Sequence, residues 1–229
     1  MTVSPISIRF ETTPSGASIV AVLLENLSFS KSSNSFEIYE QELFKEIRNN
    51  NTLEELSTDQ ILQSYRSLHW SYGIDPTKKR GSSEAVLRRV LQGKNLWRIS
   101  NLVDIVNLAS AYHKIPIGLV DVDKISGQLV IKTAQKGEIF QRIGGESITC
   151  RGRELVLADA TGIVCYGYAI HDSERTKVTS ASTRVLMLHY GTQVVSKDNL
   201  LAATNFTVGL IKRWIDCSTS APELFVSPD

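Results

Sequence analysis

Residues His171-Asp172-Ser173-Glu174-Arg175-Thr176-Lys177-Val178-Thr179 gather an imidazole, two carboxylates, two cations and three hydroxyls into one short block. An imidazole titrates near neutrality and moves protons, carboxylates activate water or hold cations, and hydroxyls orient water or sugar oxygens. Apolar segments flank the block, residues 163–170 before it and 185–188 after it. Both are rich in β-branched residues and read as strands. A polar connection between two buried strands is a rigid mount for a site, and a solvated turn is the competing reading.

Other chemistry-bearing clusters are smaller. Gly144-Gly145-Glu146-Ser147 is the tightest glycine cluster. Adjacent glycines let backbone N–H groups approach an oxyanion, although most double glycines form plain turns. There is no GxGxxG, no GK[ST] and no GxSxG, so neither a nucleotide loop nor a serine-hydrolase elbow is present. His69 and His113 border predicted helices, and His189 sits in a predicted strand as a packed residue. No His/Cys/Asp set has metal-ligand spacing, and no cofactor is implied. Asp121 and Asp123 mark a strand end.

Charge is uneven along a chain whose formal net charge is only +1. Residues 37–59 are mainly acidic. Residues 78–98 carry Lys78, Lys79, Arg80, Arg88, Arg89, Lys94 and Arg98 against Glu84 alone, which points to a local anionic partner or to a charged helix surface. Lys78-Lys79-Arg80-Gly81-Ser82-Ser83 places cations and hydroxyls at a predicted helix N-terminus, where free N–H groups attract phosphate.

The elements that position these residues follow from periodicity. At 229 residues with 42% hydrophobic content, the chain suits one domain, with or without an accessory lobe. Strands are expected at 6–10, 19–24, 117–122, 129–133, 154–157, 162–170 and 184–190. Helices are expected at 36–48, 59–68, from Ser82 or Ser83 to Gly93, from Asn101 to Pro116, and at 199–215. Asn101 is the expected cap of the fourth helix. Helices and strands come in blocks, which predicts an α+β fold with a mixed sheet and flanking helices. Residues 1–70 form a strand and helix segment, 71–217 the main domain, and 218–229 a frayed tail. Cys150, Cys165 and Cys217 are odd in number and far apart, consistent with reduced thiols in the cytoplasm. No apolar run approaches membrane-spanning length.

Taken in order, several motifs resemble one family. They are Gly73-Ile74-Asp75-Pro76-Thr77, Ser82-Ser83-Glu84-Ala85-Val86-Leu87-Arg88-Arg89, Asn101-Leu102-Val103-Asp104-Ile105-Val106-Asn107, Pro116-Ile117-Gly118-Leu119-Val120-Asp121-Val122-Asp123-Lys124-Ile125 and the block at 172–179. Their succession resembles freestanding proteins of the B-three/B-four domain, the editing module of the bacterial phenylalanyl-tRNA synthetase β subunit. The resemblance covers about residues 60–190 and implies the fold of that module. It also implies hydrolysis of an amino acid wrongly esterified to the 3′ end of tRNA, acting in trans; a noncatalytic module gripping a tRNA end or a free amino acid is the alternative. A small-molecule esterase or amidase is a third reading.

On this reading His171, Asp172, Ser173 and Thr176 are catalytic: Ser173 and Thr176 orient water or ribose hydroxyls, and His171 shuttles a proton. Gly144, Gly145, Glu146, Glu174 and Arg175 bind the substrate, while Lys78, Lys79, Arg80, Arg88, Arg89 and Lys177 hold tRNA phosphates. The sequence departs from the family pattern at Val106 (threonine in the synthetase), at Gly118 (histidine) and at His171-Asp172 (two glycines). These departures weigh against mischarged tyrosine. The acids Asp172, Glu174 and Glu146 suit a polar or cationic amino acid instead.

Overall fold

The structure is a computed structural model and describes residues 7–228. Its strands in chain order are β1 (Ile8–Phe10), β2 (Ser18–Glu25), β3 (Ile117–Asp121), β4 (Leu129–Thr133), β5 (Lys136–Gln141), β6 (Ser147–Arg151), β7 (Leu155–Asp159), β8 (Gly162–Tyr166), β9 (His171–Asp172), β10 (Val185–Gly191), β11 (Ser218–Thr219) and β12 (Glu223–Val226). The helices are α1 (Asn34–Asn50), α2 (Gln60–Ser71), α3 (Ser82–Leu91), α4 (Asn101–His113) and α5 (Lys197–Trp214).

Side-chain alternation sorts the strands into layers. All seven residues of β10 are buried. Val185 and Met187 face a core shared with Phe36, Phe44, Leu87, Leu102 and Ile105 of the helices. Leu186, Leu188 and Tyr190 face the opposite way, onto Ile131, Leu157, Val164 and Cys165 of a second sheet. Each such aliphatic side chain, fully buried, contributes roughly 1.5–3 kcal/mol. One sheet therefore runs β11-β2-β10-β3, with β12 also on β2, between the helices and the other sheet. The second runs β1-β4-β7-β8-β9 and carries the β5–β6 hairpin on its far side, over Phe140, Cys150, Val156, Ile163 and Tyr166. Among the described residues only the β1–β4 pairing is parallel. The expectation of an α+β fold with a mixed sheet and flanking helices holds: β1-β4-β7-β8-β9 is the mixed sheet, stacked on a second, antiparallel sheet and extended by a hairpin.

Helix starts follow local chemistry. Ser33, Asp59, Ser100 and Ser196 each accept an N–H from the first turn of α1, α2, α4 and α5. Such caps stabilise by about 1 kcal/mol apiece. Two expected caps are corrected. Ser100 caps α4, while the Asn101 side chain ties back to Ser28 and Ser30. Helix α3 begins after Gly81 with no side-chain cap, so Ser82 and Ser83 lie inside it.

Three further expectations change. The strand expected to reach Ile170 stops at Tyr166, because Gly167, Tyr168 and Ala169 take left-handed backbone angles. That conformation is unfavourable for Tyr168 and Ala169 by about 1–2 kcal/mol each. The buried Tyr168 hydroxyl, 2.9 Å from Ser18 O and 2.8 Å from Gly191 O, holds the turn in place. The tail does not fray, since β11 and β12 pair with β2 as far as Val226. The N-terminal segment goes beyond packing on the core: β2 lies inside its sheet, so residues before 70 complete the core. Of the first expected strand, Ile6 lies outside the described residues. No helix among the described residues is long and apolar enough to cross a membrane.

Candidate active site at the paired sheet edges

Strands β3 and β9 are edge strands of the two sheets, and they approach each other at one side of the sandwich. The tight turn at 167–170 folds β9 back onto β8, pairing Tyr166 with His171 and Cys165 with Asp172. Successive strand residues point to opposite faces. His171 accordingly stacks near Tyr166 on the hairpin side, with ring centroids 6.4 Å apart. Asp172 turns the other way, into the gap between the sheets. The two expected catalytic neighbours therefore do not form a dyad.

Asp172 is half-buried against β3 and β10. A Cβ placed on Gly118 would sit 3.3 Å from Asp172 Oδ1 and 3.3 Å from a ring carbon of Tyr190. Burial raises the Asp172 carboxyl to about 6, while hydrogen bonds from the Cys165 thiol and the Leu119 N–H pull in the opposite direction. Burial also raises the Cys165 thiol and the Tyr190 phenol. The buried Tyr190 hydroxyl meets no oxygen or nitrogen partner at hydrogen-bond distance among the described residues, and its polar neighbour is the Cys165 thiol. An unpaired buried donor costs roughly 1–3 kcal/mol, and such groups concentrate at functional sites. His171 is shifted down to about 4, first by burial and then by Arg142 and Lys79, so it is neutral at physiological pH.

The rest of the block frames the edge. Ser173 is buried; its N–H donates to Val164 O and its hydroxyl accepts the Arg175 N–H. Thr176 is buried too, and its carbonyl accepts the Asp121 N–H. Both side chains are buried, and the Ser173 hydroxyl is engaged by the backbone of its own loop. Arg175 clamps Asp159 at 2.8 and 3.1 Å and also donates to Lys124 O at 2.9 Å, so it locks the loop and is not a free substrate ligand. Glu174 is ion-paired with Lys177, and Glu146 with Arg142 at 2.7 Å. Of the three acids expected to meet a cationic amino acid, only Asp172 lacks a basic partner within ion-pair distance.

Gly144 and Gly145 form the exposed turn of the β5–β6 hairpin. Gly145 N–H donates to Arg142 O and Gly144 N–H to Glu174, so neither is open to an oxyanion. The expected basic surface also divides. Arg80 and Arg88 join Arg66 around the buried Glu84 carboxylate, at 3.4, 2.7 and 3.0 Å. Arg89 stacks on Trp97 at 4.3 Å and donates to Asn95 O. Lys78 is exposed, 3.9 Å from Asp75.

Lys79 behaves differently. Its ammonium lies over the Tyr166 ring, 4.8 Å from the centroid, and burial lowers its pKa. It lines a cleft of about 180 Å³ with Gly73, Asp75, Lys78, Thr149, Arg151, Glu154 and Tyr166, beside the His171 ring. A larger cavity of about 480 Å³ lies between α2 and the turns at 14–17 and 192–193, and is lined by serines, Tyr72, Thr192 and Gln193. It contains none of the residues singled out above. Tyr190, Cys165, Tyr166, Thr149 and Arg151 escaped sequence reasoning. Of these only Thr149 and Arg151 left a trace, as polar residues two apart on one strand face.

Residues 64–212, more than half of the chain, match the B3/4 domain family. The chain belongs to that family. Similar proteins include the phenylalanine–tRNA ligase β subunit of Tropheryma whipplei, 33% identical over 99 residues, which is 43% of this chain and 10% of the subunit. The β subunit of Bartonella henselae is 29% identical over 109 residues, 48% of this chain and 13% of the subunit. This chain thus spans about a tenth of the length of those relatives. Among solved structures, an N-terminal fragment of the phenylalanyl-tRNA synthetase β subunit from Pyrococcus horikoshii aligns with a TM-score of 0.47 at 16% identity, over 99% of this chain and 55% of the fragment. In this B3/4 domain protein β2 lies before the matched residues, yet it completes the sheet on which Gly118 and Tyr190 sit.

Proposed function

We propose that this chain is a deacylase acting in trans on an amino acid wrongly esterified to tRNA. The observation that carries the reading is Asp172, a carboxyl raised to about 6 by burial, which meets the Tyr190 ring around Gly118 with the Cys165 thiol as the phenol's only weak partner. A carboxylate with that pKa is ionised at neutral pH yet basic enough to take a proton from water. Water oxygen attacks the ester carbonyl while Asp172 accepts its proton. The Tyr190 hydroxyl donates to the carbonyl oxygen as negative charge develops there. The bond to the ribose oxygen then breaks, and the proton held by Asp172 passes to that oxygen. His171, neutral and on the other face of the same two-residue strand, hydrogen-bonds the RNA and carries no charge. Membership of the B3/4 family supports an aminoacyl-tRNA substrate.

The alternative is a module that grips tRNA without hydrolysis. It draws support from the buried Ser173 and Thr176, and from the filling of the space beside Gly118 by Asp172 and Tyr190. A panel of misacylated tRNAs separates the two. The deacylase releases at least one amino acid, and Asp172→Asn slows that release by about 10²–10⁴-fold. Retained tRNA binding with no release from any member of the panel rejects the deacylase.

A further inference from the structure

The cleft beside Tyr166 is lined by five charged side chains whose partnering is uneven. Its two carboxylates are committed to their own backbone. Asp75 accepts the N–H and hydroxyl of Thr77, and Glu154 accepts the N–H groups of Arg151 and Arg153. Among the described residues, neither Lys79 nor Arg151 has a carboxylate within 4.0 Å. Lys79 is nevertheless partly desolvated over the Tyr166 ring. Removing an ammonium from water is unfavourable. The Glu154 carboxylate in the same lining offsets part of that cost, yet it is held by its own backbone, and three cations against two carboxylates leave the cleft with a net positive charge that favours an anion. Thr149 and Arg151 share one face of β6 and place a hydroxyl and a guanidinium on the same wall. Arg153 lies across Gly73 at the rim, its Nε 2.3 Å from where a Cβ on that glycine would stand, and extends the positive surface outward.

We infer that this cleft is a phosphate subsite in which Lys79, Arg151 and Thr149 hold a backbone phosphate next to the 3′ end of an RNA strand. The assignment rests on the tRNA reading above for its choice of phosphate source. The two residues of β9 link the parts. His171 borders the phosphate cleft through Tyr166, while Asp172 faces the gap between the sheets, so an RNA end anchored at the cleft reaches around the sheet edge to the carboxylate. Ammonium and guanidinium groups pair strongly with phosphate oxygens, and the aromatic floor excludes water from beneath the ammonium.

The test uses non-acylated RNA, so that it stands apart from hydrolysis. Binding of the full chain to a deacylated tRNA ending in CCA, and to the same tRNA lacking its terminal CA, is measured across a salt series. Lys79→Gln and Arg151→Gln should each weaken binding to the CCA-ended tRNA about tenfold and lower the salt slope by about 0.7. Neither should alter binding to the truncated tRNA. Lys79→Arg should restore binding, which excludes loss of fold as the cause, and Lys94→Gln, outside the cleft, should bind as the wild type does. Equal weakening for both tRNAs, or wild-type affinity in both glutamine variants, overturns the assignment. So does inorganic phosphate that raises the melting temperature through Lys79 and Arg151 without competing with CCA-ended tRNA, since it makes this a free-phosphate site. If the expected pattern holds but no misacylated tRNA is hydrolysed, the subsite stands and the deacylase fails.

Discussion

Replacing Asp172 by asparagine should make the protein more stable and less active at neutral pH. The unfolded chain releases this proton near the ordinary aspartate value of 3.8, and the folded chain holds it to about 6. Between those values the native state binds the proton more tightly, so stability falls as pH rises from about 4 to 6, and the whole penalty is present above that window. A little over two pK units corresponds to about 3 kcal/mol, and relaxation of the fold around the buried charge brings the expected penalty to about 1.5–3 kcal/mol. Asparagine keeps an oxygen for the Leu119 N–H and never ionises. The wild-type stability curve alone would mislead. His69 and His171, both lowered to about 4 by burial, and His189, lowered to about 3, gain protons on unfolding and make stability rise with pH across a similar range. Subtracting the wild-type free energy from that of Asp172→Asn cancels them. Chemical denaturation at steps between pH 3.5 and 8 should show no difference at the acid end and an advantage of about 1.5–3 kcal/mol for the variant above pH 7. A variant less stable than wild type at pH 7.5, or an offset that does not change with pH, would refute the account of Asp172 as a desolvated carboxyl.

Other substitutions probe the frame. Glu84→Gln leaves the guanidiniums of Arg66, Arg80 and Arg88 without their shared carboxylate, and a loss of about 2–4 kcal/mol is expected in urea titrations. Gly118→His puts a side chain where a Cβ already meets Asp172 and Tyr190 at 3.3 Å; the melting temperature should drop by several degrees, and Asp172→Gly in the same chain should recover part of it. Ending the chain at Cys217 strips β11 and β12 from β2, so sedimentation should detect aggregation through the uncovered strand edge even where circular dichroism still reports folded protein.

The sequence carried the fold further than it carried the site. Hydrophobic periodicity located all five helices to within a few residues, because each one buries a continuous stripe, as Phe36, Leu43, Phe44 and Ile47 do on α1. The β5–β6 hairpin went unassigned, since its exposed Ile139 and Ile143 and its doubled glycine give no clean alternation. The block at 171–179 does sit at the sheet edge. What composition could not convey was direction: pairing of His171 with Tyr166 and of Asp172 with Cys165 sends adjacent residues to opposite faces. Ser173 and Thr176 read as available hydroxyls because burial of a polar residue leaves no mark in sequence. Tyr190 looked like core for the opposite reason, a phenol in an apolar strand whose missing oxygen or nitrogen partner only three dimensions reveal.

Strand β2 has a consequence for biogenesis. Its hydrogen-bonding neighbours are residues 185–191 on one side and 218–226 on the other. At a translation speed of about 5–20 residues per second, β2 leaves the ribosome roughly 10–30 s before either neighbour exists. Throughout that interval the backbone of β2 has no neighbouring strand, although Val22 and Leu24 can already pack on α1. Synthesis slowed late in the message, which lengthens the time before residues 185–191 arrive, should therefore depress soluble yield more than synthesis slowed early.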